Sequence, residues 1–241
     1  MKEQQNPGQQ DEQNTELTPQ LRRIRSYAIR GKVSQAHKQA YADHWDQYGC
    51  NVEDGMLNFT ERFGREHFKV LEIGFGMGKS LHQMVVSYPD QDFIGVEVHA
   101  PGVGRILMDI GESKANNFLV FKHDAIDVLE QCIPDNSLDR VQLFFPDPWH
   151  KARHHKRRIV QQPFIDSIAK KLKIGGIFHL ATDWENYAEH MMIQMNENKH
   201  FENTAKKDQY SEQPEYRPTT KFEVRGQNLG HGVWDLLFKK V

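Results

Sequence analysis

Cysteine is nearly absent. Cys50 and Cys132 are the only two in 241 residues, and they lie far apart. A disulfide framework and a finger-type cysteine zinc site are excluded, and a reducing, cytoplasmic setting is the default. Long apolar runs are missing too. No stretch of 18 apolar residues occurs, which excludes an ordinary transmembrane helix. The first twenty residues lack an apolar segment of the secretory type, so no signal peptide is expected. No internal repeat is visible. One-signed charge is also lacking: 31 Lys and Arg face 33 Asp and Glu, for a net charge of -2. A body so close to neutral does not hold nucleic acid through bulk charge, and local patches must serve instead. The 13 histidines add charge only in mildly acid conditions.

What is present falls into distinct stretches. Residues 1–20 are rich in Gln, Asn and Glu, have no aromatic side chain and carry a net charge of -3. Such a segment buries too little to offset its ordering entropy, so it is expected to be a disordered polar tail. Residues 21–32 (LRRIRSYAIRGK) hold five basic residues and no acid, a basic arm on the single domain expected over 21–241. Ala36, Ala40, Tyr41, His44 and Trp45 fall close to one face of a helix over 34–48. From Lys69 onward, short apolar runs alternate with helix-like stretches. Strands are expected at 69–74, 92–98, 118–124, 140–145, 176–182 and 233–240, with helices at 79–88, 101–113, 125–131, 160–172 and 184–196. That alternation predicts an α/β fold, a parallel sheet covered on both faces. Residues 203–232 are polar and turn-rich, a long functional loop with a weak strand near 200–206.

The first of these strands runs into Glu72-Ile73-Gly74-Phe75-Gly76-Met77-Gly78. Glycines between a strand and a helix allow a tight turn and close approach to a ligand. In an open parallel sheet, ligands bind beyond the carboxyl ends of the strands. Three acids surround this loop. Glu97 ends the second strand, where a carboxylate accepts both hydroxyls of an adenosine ribose. Asp124 ends the third strand, within reach of an adenine edge, and Glu72 is placed to face a cationic amine. An acid-rich site suits S-adenosylmethionine, which has no phosphate. Lys79 follows the loop and leaves a phosphate grip open, so a nicotinamide dinucleotide remains the second reading.

The fourth strand ends in Phe144-Phe145-Pro146-Asp147-Pro148-Trp149. Two prolines around an aspartate stiffen the backbone and fix the direction of the carboxylate, and Trp149 offers a flat face to a purine. His150 to Arg158 follows, with five Lys and Arg in eight residues and no acid between Asp147 and Asp166. Cations massed beside a probable site draw phosphates. Asp183 ends the fifth strand, and Trp184 and Trp234 read as core. The His154-His155 pair has no cysteine or carboxylate at ligand spacing, so no metal is expected.

Taken together, LEIGFGMG, GVEVHAPGVG, FFPDPWHKARHHKRR, ATDW and TKFE…GHGVWDL closely resemble the bacterial tRNA guanine-N7 methyltransferases, from about Leu21 to the end of the chain. The resemblance implies a class I methyltransferase fold: a seven-stranded, mostly parallel sheet with helices on both faces and an antiparallel last strand. It implies methyl transfer from S-adenosyl-L-methionine to N7 of guanosine 46 in the tRNA variable loop, leaving S-adenosyl-L-homocysteine. Carried over position by position, Glu72, Gly74, Gly76, Gly78, Glu97, Asp124 and Asp147 hold the cofactor, and Asp147 is also the catalytic position. Lys151, Asp183, Thr220, Lys221, Phe222 and Glu223 contact the substrate. Arg153, His154, His155, Lys156, Arg157 and Arg158 lie on the RNA. A cytoplasmic monomer or small homo-oligomer without metal or membrane attachment is the expected state. A nicotinamide-dependent dehydrogenase and an RNA-binding module that has lost catalysis are the rival classes.

Overall fold

The computed structural model describes residues 33–219, 223 and 232–241. The expected polar tail (1–20), the basic arm (21–32) and Thr220, Lys221 and Phe222 lie outside these residues. Seven helices and eight strands are described. Helix α1 (Gln35–Tyr48) is opened by Ser34, whose hydroxyl accepts from the His37 N–H at 3.1 Å. There follow β1 (Gly49–Cys50), α2 (Phe59–Phe63), β2 (Phe68–Ile73), α3 (Lys79–Ser87), β3 (Gln91–Val96) and α4 (Ala100–Ser113). Then come β4 (Phe118–Phe121), α5 (Ala125–Gln131), β5 (Leu138–Phe144), α6 (Gln162–Lys171), β6 (Leu172–Thr182), α7 (Glu185–Glu197), β7 (Phe201–Asn203) and β8 (Trp234–Lys240).

These strands form one sheet in the order β1-β4-β3-β2-β5-β6-β8-β7. Strands β1 to β6 pair in parallel, and β8 runs antiparallel between β6 and β7. The α/β expectation and the reversed last strand are both met. The eighth strand was not expected. Gly49–Cys50 is two residues long and pairs with Val120 and Phe121 at the sheet edge, too short to leave an apolar run in the sequence.

Side chains alternate between the two faces, as a strand dictates. Leu71, Ile73, Ile94, Val96, Val141 and Leu143 face the side covered by α5, α6 and α7. Val70, Phe93, Phe118 and Val120 face α1, α3 and α4. Each face thus buries its own core. Strand β2 sits at the centre. The chain runs outward from it through β3 to β4, then returns to place β5 on its other side. The order reverses at the carboxyl end of β2, which is where such sheets open a crevice.

Candidate active site

Beyond Ile73 the backbone turns through Gly74, Gly76 and Gly78, with φ of 74°, 59° and 73°. Side-chain-bearing residues rarely adopt this left-handed region. A Cβ on Gly74 or Gly76 would meet nothing within 4 Å, so conformation rather than crowding demands glycine there. Helix α4 presses on this loop: a Cβ on Gly102 would lie 1.9 Å from the Gly76 carbonyl oxygen. Glu97 holds the other side. Its Oε2 accepts from the Gly76 N–H at 2.8 Å, and Oε1 accepts from Val98 and His99 at 2.7 and 2.9 Å. The carboxylate is fixed before any ligand arrives, with lone pairs remaining for hydroxyl donors.

Two hollows open on this loop. One, of about 380 Å³, is lined by Gly74, Glu97, His99, His123, Phe145 and Asp147 among others. The second, of about 470 Å³, lies over Glu72, Lys79, Gln83, Arg217 and Thr219. Gly74, Gly76, Phe144 and Phe145 belong to both. Asp124 accepts from the Ile126 N–H at 2.9 Å and so caps α5, while its neighbours His123 and Ala125 line the first hollow. Glu72 is 3% exposed, and its Oε2 has no hydrogen-bond partner. Burial pushes its carboxyl up to about 8, against the pull of the Arg140 guanidinium. An acidic, unpartnered oxygen beneath a glycine turn fits a cationic amine better than a phosphate.

At the end of β5, Phe145 and Trp149 adopt φ of 51° and 49°. Two non-glycine residues in the left-handed region bracket Pro146-Asp147-Pro148, a costly arrangement of the kind found at functional sites. The Phe145 N–H donates to the Ala181 carbonyl at 2.8 Å, tying the loop to β6. Asp147 Oδ1 accepts from the Trp149 N–H at 3.0 Å, which restrains the carboxylate, and Asp147 lines the first hollow. Residues 152–157 form a turn of 3₁₀ helix, with Lys151, Arg153, Lys156 and Arg157 exposed. Arg157 lies over the Trp149 ring at 4.9 Å, and His154 meets its edge at 5.9 Å.

A family model described as "Putative methyltransferase" matches residues 66–236. A Saccharophagus degradans protein named tRNA (guanine-N(7)-)-methyltransferase is 56% identical over 218 residues, covering 90% of this chain and 95% of that one. A namesake from Shewanella amazonensis is 54% identical over 222 residues, 92% and 93% of the two chains. This chain belongs to the tRNA (guanine-N(7)-)-methyltransferase family. Among solved structures, the 16S rRNA methyltransferase KamB superposes with a TM-score of 0.52 at 15% identity, covering 90% of this chain and 99% of that one. An antibiotic-related methyltransferase gives 0.52 at 16%, covering 80% and 94%. At such identities the likeness concerns the fold, and the fold is that of the class I methyltransferases.

In this methyltransferase the expected site residues divide. The glycine loop, Glu72, Glu97 and Asp147 line the joined hollows. Lys151 is exposed in the loop after β5, and Asp183 is exposed directly after the neighbouring β6. Arg158 departs from the expected RNA surface. It is 1% exposed, and its guanidinium donates to the Pro148 carbonyl at 3.0 Å and to Asn186 Oδ1 at 2.8 Å, with His155 Nε2 at 3.1 Å. It braces the Asp147 loop from inside. Glu223, expected to contact the substrate, is 2% exposed and pairs with Arg217 at 2.5 Å. Trp184 was expected in the core and is 38% exposed.

The sequence reading missed a buried polar cluster. Arg217 donates to both oxygens of Asp235, at 2.7 and 2.8 Å. His179 lies 2.7 Å from Asp235 Oδ1 and 2.9 Å from the Tyr216 hydroxyl. Burial lowers the His179 value, which fits a neutral ring donating from Nε2 and accepting at Nδ1. Burial alone would raise Asp235, yet the bonds from His179 and Arg217 hold it below the ordinary carboxylate range. The cluster anchors Tyr216 and Arg217, and residues 217–219 roof the second hollow. A polar segment of sequence gave no sign that one of its arginines is buried. Among the described residues, no group of three or more metal-ligating side chains gathers, and no helix is long and apolar enough to cross a membrane.

Proposed function

We propose that the chain transfers a methyl group from S-adenosyl-L-methionine to N7 of a guanosine in tRNA, at position 46 of the variable loop, and acts in the cytoplasm where that substrate matures. The observation that carries this reading is Asp147, which lines the glycine-loop hollow from a strained, proline-braced turn beside exposed cations. Relatives above 50% identity bearing the corresponding name support it.

Glu97 would receive the ribose hydroxyls, Asp124 the adenine side, and Glu72 the amino group, its proton displaced by the incoming cation. Once bound, the cofactor supplies a methyl group on positive sulfur. Guanine N7 has a lone pair and no proton, so no general base is needed. A guanine held in line by these residues would take that methyl group on N7, with the carbon–sulfur electron pair left on sulfur and the positive charge passed to the purine. Asp147 then acts by position and field. It accepts from the donor edge of guanine and favours the cationic product. Lys151, Asp183 and the 220–223 segment would flank the base, and Arg153, His154, His155, Lys156 and Arg157 would meet the phosphates.

The test is incubation with unmodified tRNA and methyl-labelled cofactor, followed by mapping of the modified base. Label on N7 of a variable-loop guanosine is expected. Label elsewhere, or binding of NAD in place of S-adenosylhomocysteine, would overturn the reading.

A further inference from the structure

We propose that Trp184 and His150 form a stacking platform for one unpaired nucleobase of the RNA, beside the methylated guanosine; this rests on the function proposed above. Trp184 is 38% exposed, an unusual position for an indole. Its backbone is pinned on both sides. Its N–H donates to Thr182 Oγ1 at 3.2 Å, and its carbonyl accepts from Tyr187 and Ala188 at 2.8 and 2.9 Å. The His150 ring meets the indole at 4.3 Å between centroids, at 73°.

The two rings come from different loops, yet their meeting is built in. Phe144 and Ala181 are paired in the sheet, so the Asp147 loop and the Trp184 turn leave it side by side. Arg158 then joins them, bonding Pro148 on one and Asn186 on the other. The surroundings say what the platform takes. Lys151, Arg153 and Lys156 are exposed on the segment that follows His150, and Asp183 and Glu185 are exposed next to Trp184 in the chain. A protein partner covering the indole would have to desolvate these charges. A splayed nucleobase needs only the ring, while its phosphate reaches the lysine and arginine heads.

Trp184→Ala is expected to weaken binding of unmodified tRNA by about tenfold and to raise KM for tRNA. The affinity for S-adenosylhomocysteine should stay within about twofold, which also reports that the variant folds. A series of tRNAs with single abasic sites through the variable loop identifies the base: at one position the abasic loss and the Trp184→Ala loss should not add. Unchanged tRNA affinity in Trp184→Ala overturns the platform, as does full additivity at every abasic position. A change in sedimentation with tRNA affinity intact also overturns it and assigns the ring to a second copy of the chain. Should Trp184→Ala fail to bind S-adenosylhomocysteine, His150→Ala takes its place, and wild-type tRNA affinity in that variant is the overturning result. Apart from KM, these measurements need no turnover. Failure of the unaltered protein to methylate N7 therefore counts against the function and is read apart from the platform.

Discussion

Glu72 is the residue whose chemistry depends most on its burial. Its ordinary value is 4.5, and in the folded protein it stands at about 8. Between these values the native state keeps a proton that the unfolded chain releases. The stabilisation is complete below the lower value and is lost as pH rises toward the upper one, by at most about 1.4 kcal/mol per pH unit. Glu72→Gln should therefore raise Tm at pH 8 and flatten its dependence between roughly pH 5 and 8, as thermal melts in a buffer series will show. The same variant should lose S-adenosylhomocysteine binding. For the wild type, calorimetry at pH 7 in two buffers of different ionisation enthalpy should record about one proton released. Asp147 obeys different logic. Asp147→Asn should lower kcat by about 100-fold or more without introducing a new pH dependence. A large recovery of the variant rate at high pH would assign Asp147 to proton transfer instead. Both acids could be singled out as candidates in the sequence because a strand, a glycine loop and a proline pair mark their positions. Arg158 was not, because a run of cations does not reveal which of them turns inward.

The Asp147 loop, the 3₁₀ turn after it and the start of α7 behave as one element, since Arg158 bonds all three. Arg158→Ala would leave the Pro148 carbonyl and the Asn186 side chain without their buried donor. A loss of about 2–4 kcal/mol in unfolding free energy is expected, measured by urea titration. Activity should fall further than S-adenosylhomocysteine affinity, because the loop aims Asp147 while Glu72 and Glu97 stand elsewhere. Replacing Arg153, Lys156 and Arg157 together has the opposite signature. It should spare stability and cofactor binding, weaken tRNA binding, and reduce the salt slope by about 0.7–0.9 for each lost phosphate contact. Element prediction succeeded wherever apolar side chains repeat with strand or helix period, as in Val70 to Ile73 or Phe118 to Phe121. It failed for Gly49–Cys50, which pairs through backbone alone, and for the inward turn at Tyr216–Arg217, where the burying partner is another polar group.

On the scale of the molecule, a net charge of -2 leaves attraction to a polyanion to local patches, and among the described residues exposed cations follow the Asp147 loop. The whole sheet serves the site: β2, β5 and β6 deliver Glu72, Asp147 and Asp183 to the same end. The overall architecture could be read from the alternation of runs. The far wall of the second hollow could not, since it depends on how residues 217–219 fold back beside the glycine loop. That fold-back is held by Asp235, which lies on β8, and β8 slots between two strands made earlier in the chain. A polypeptide emerging from the ribosome can thus assemble its acidic floor well before its roof. Until residue 235 enters the gap between β6 and β7, the half-made chain lacks the carboxylate that both Arg217 and His179 bond.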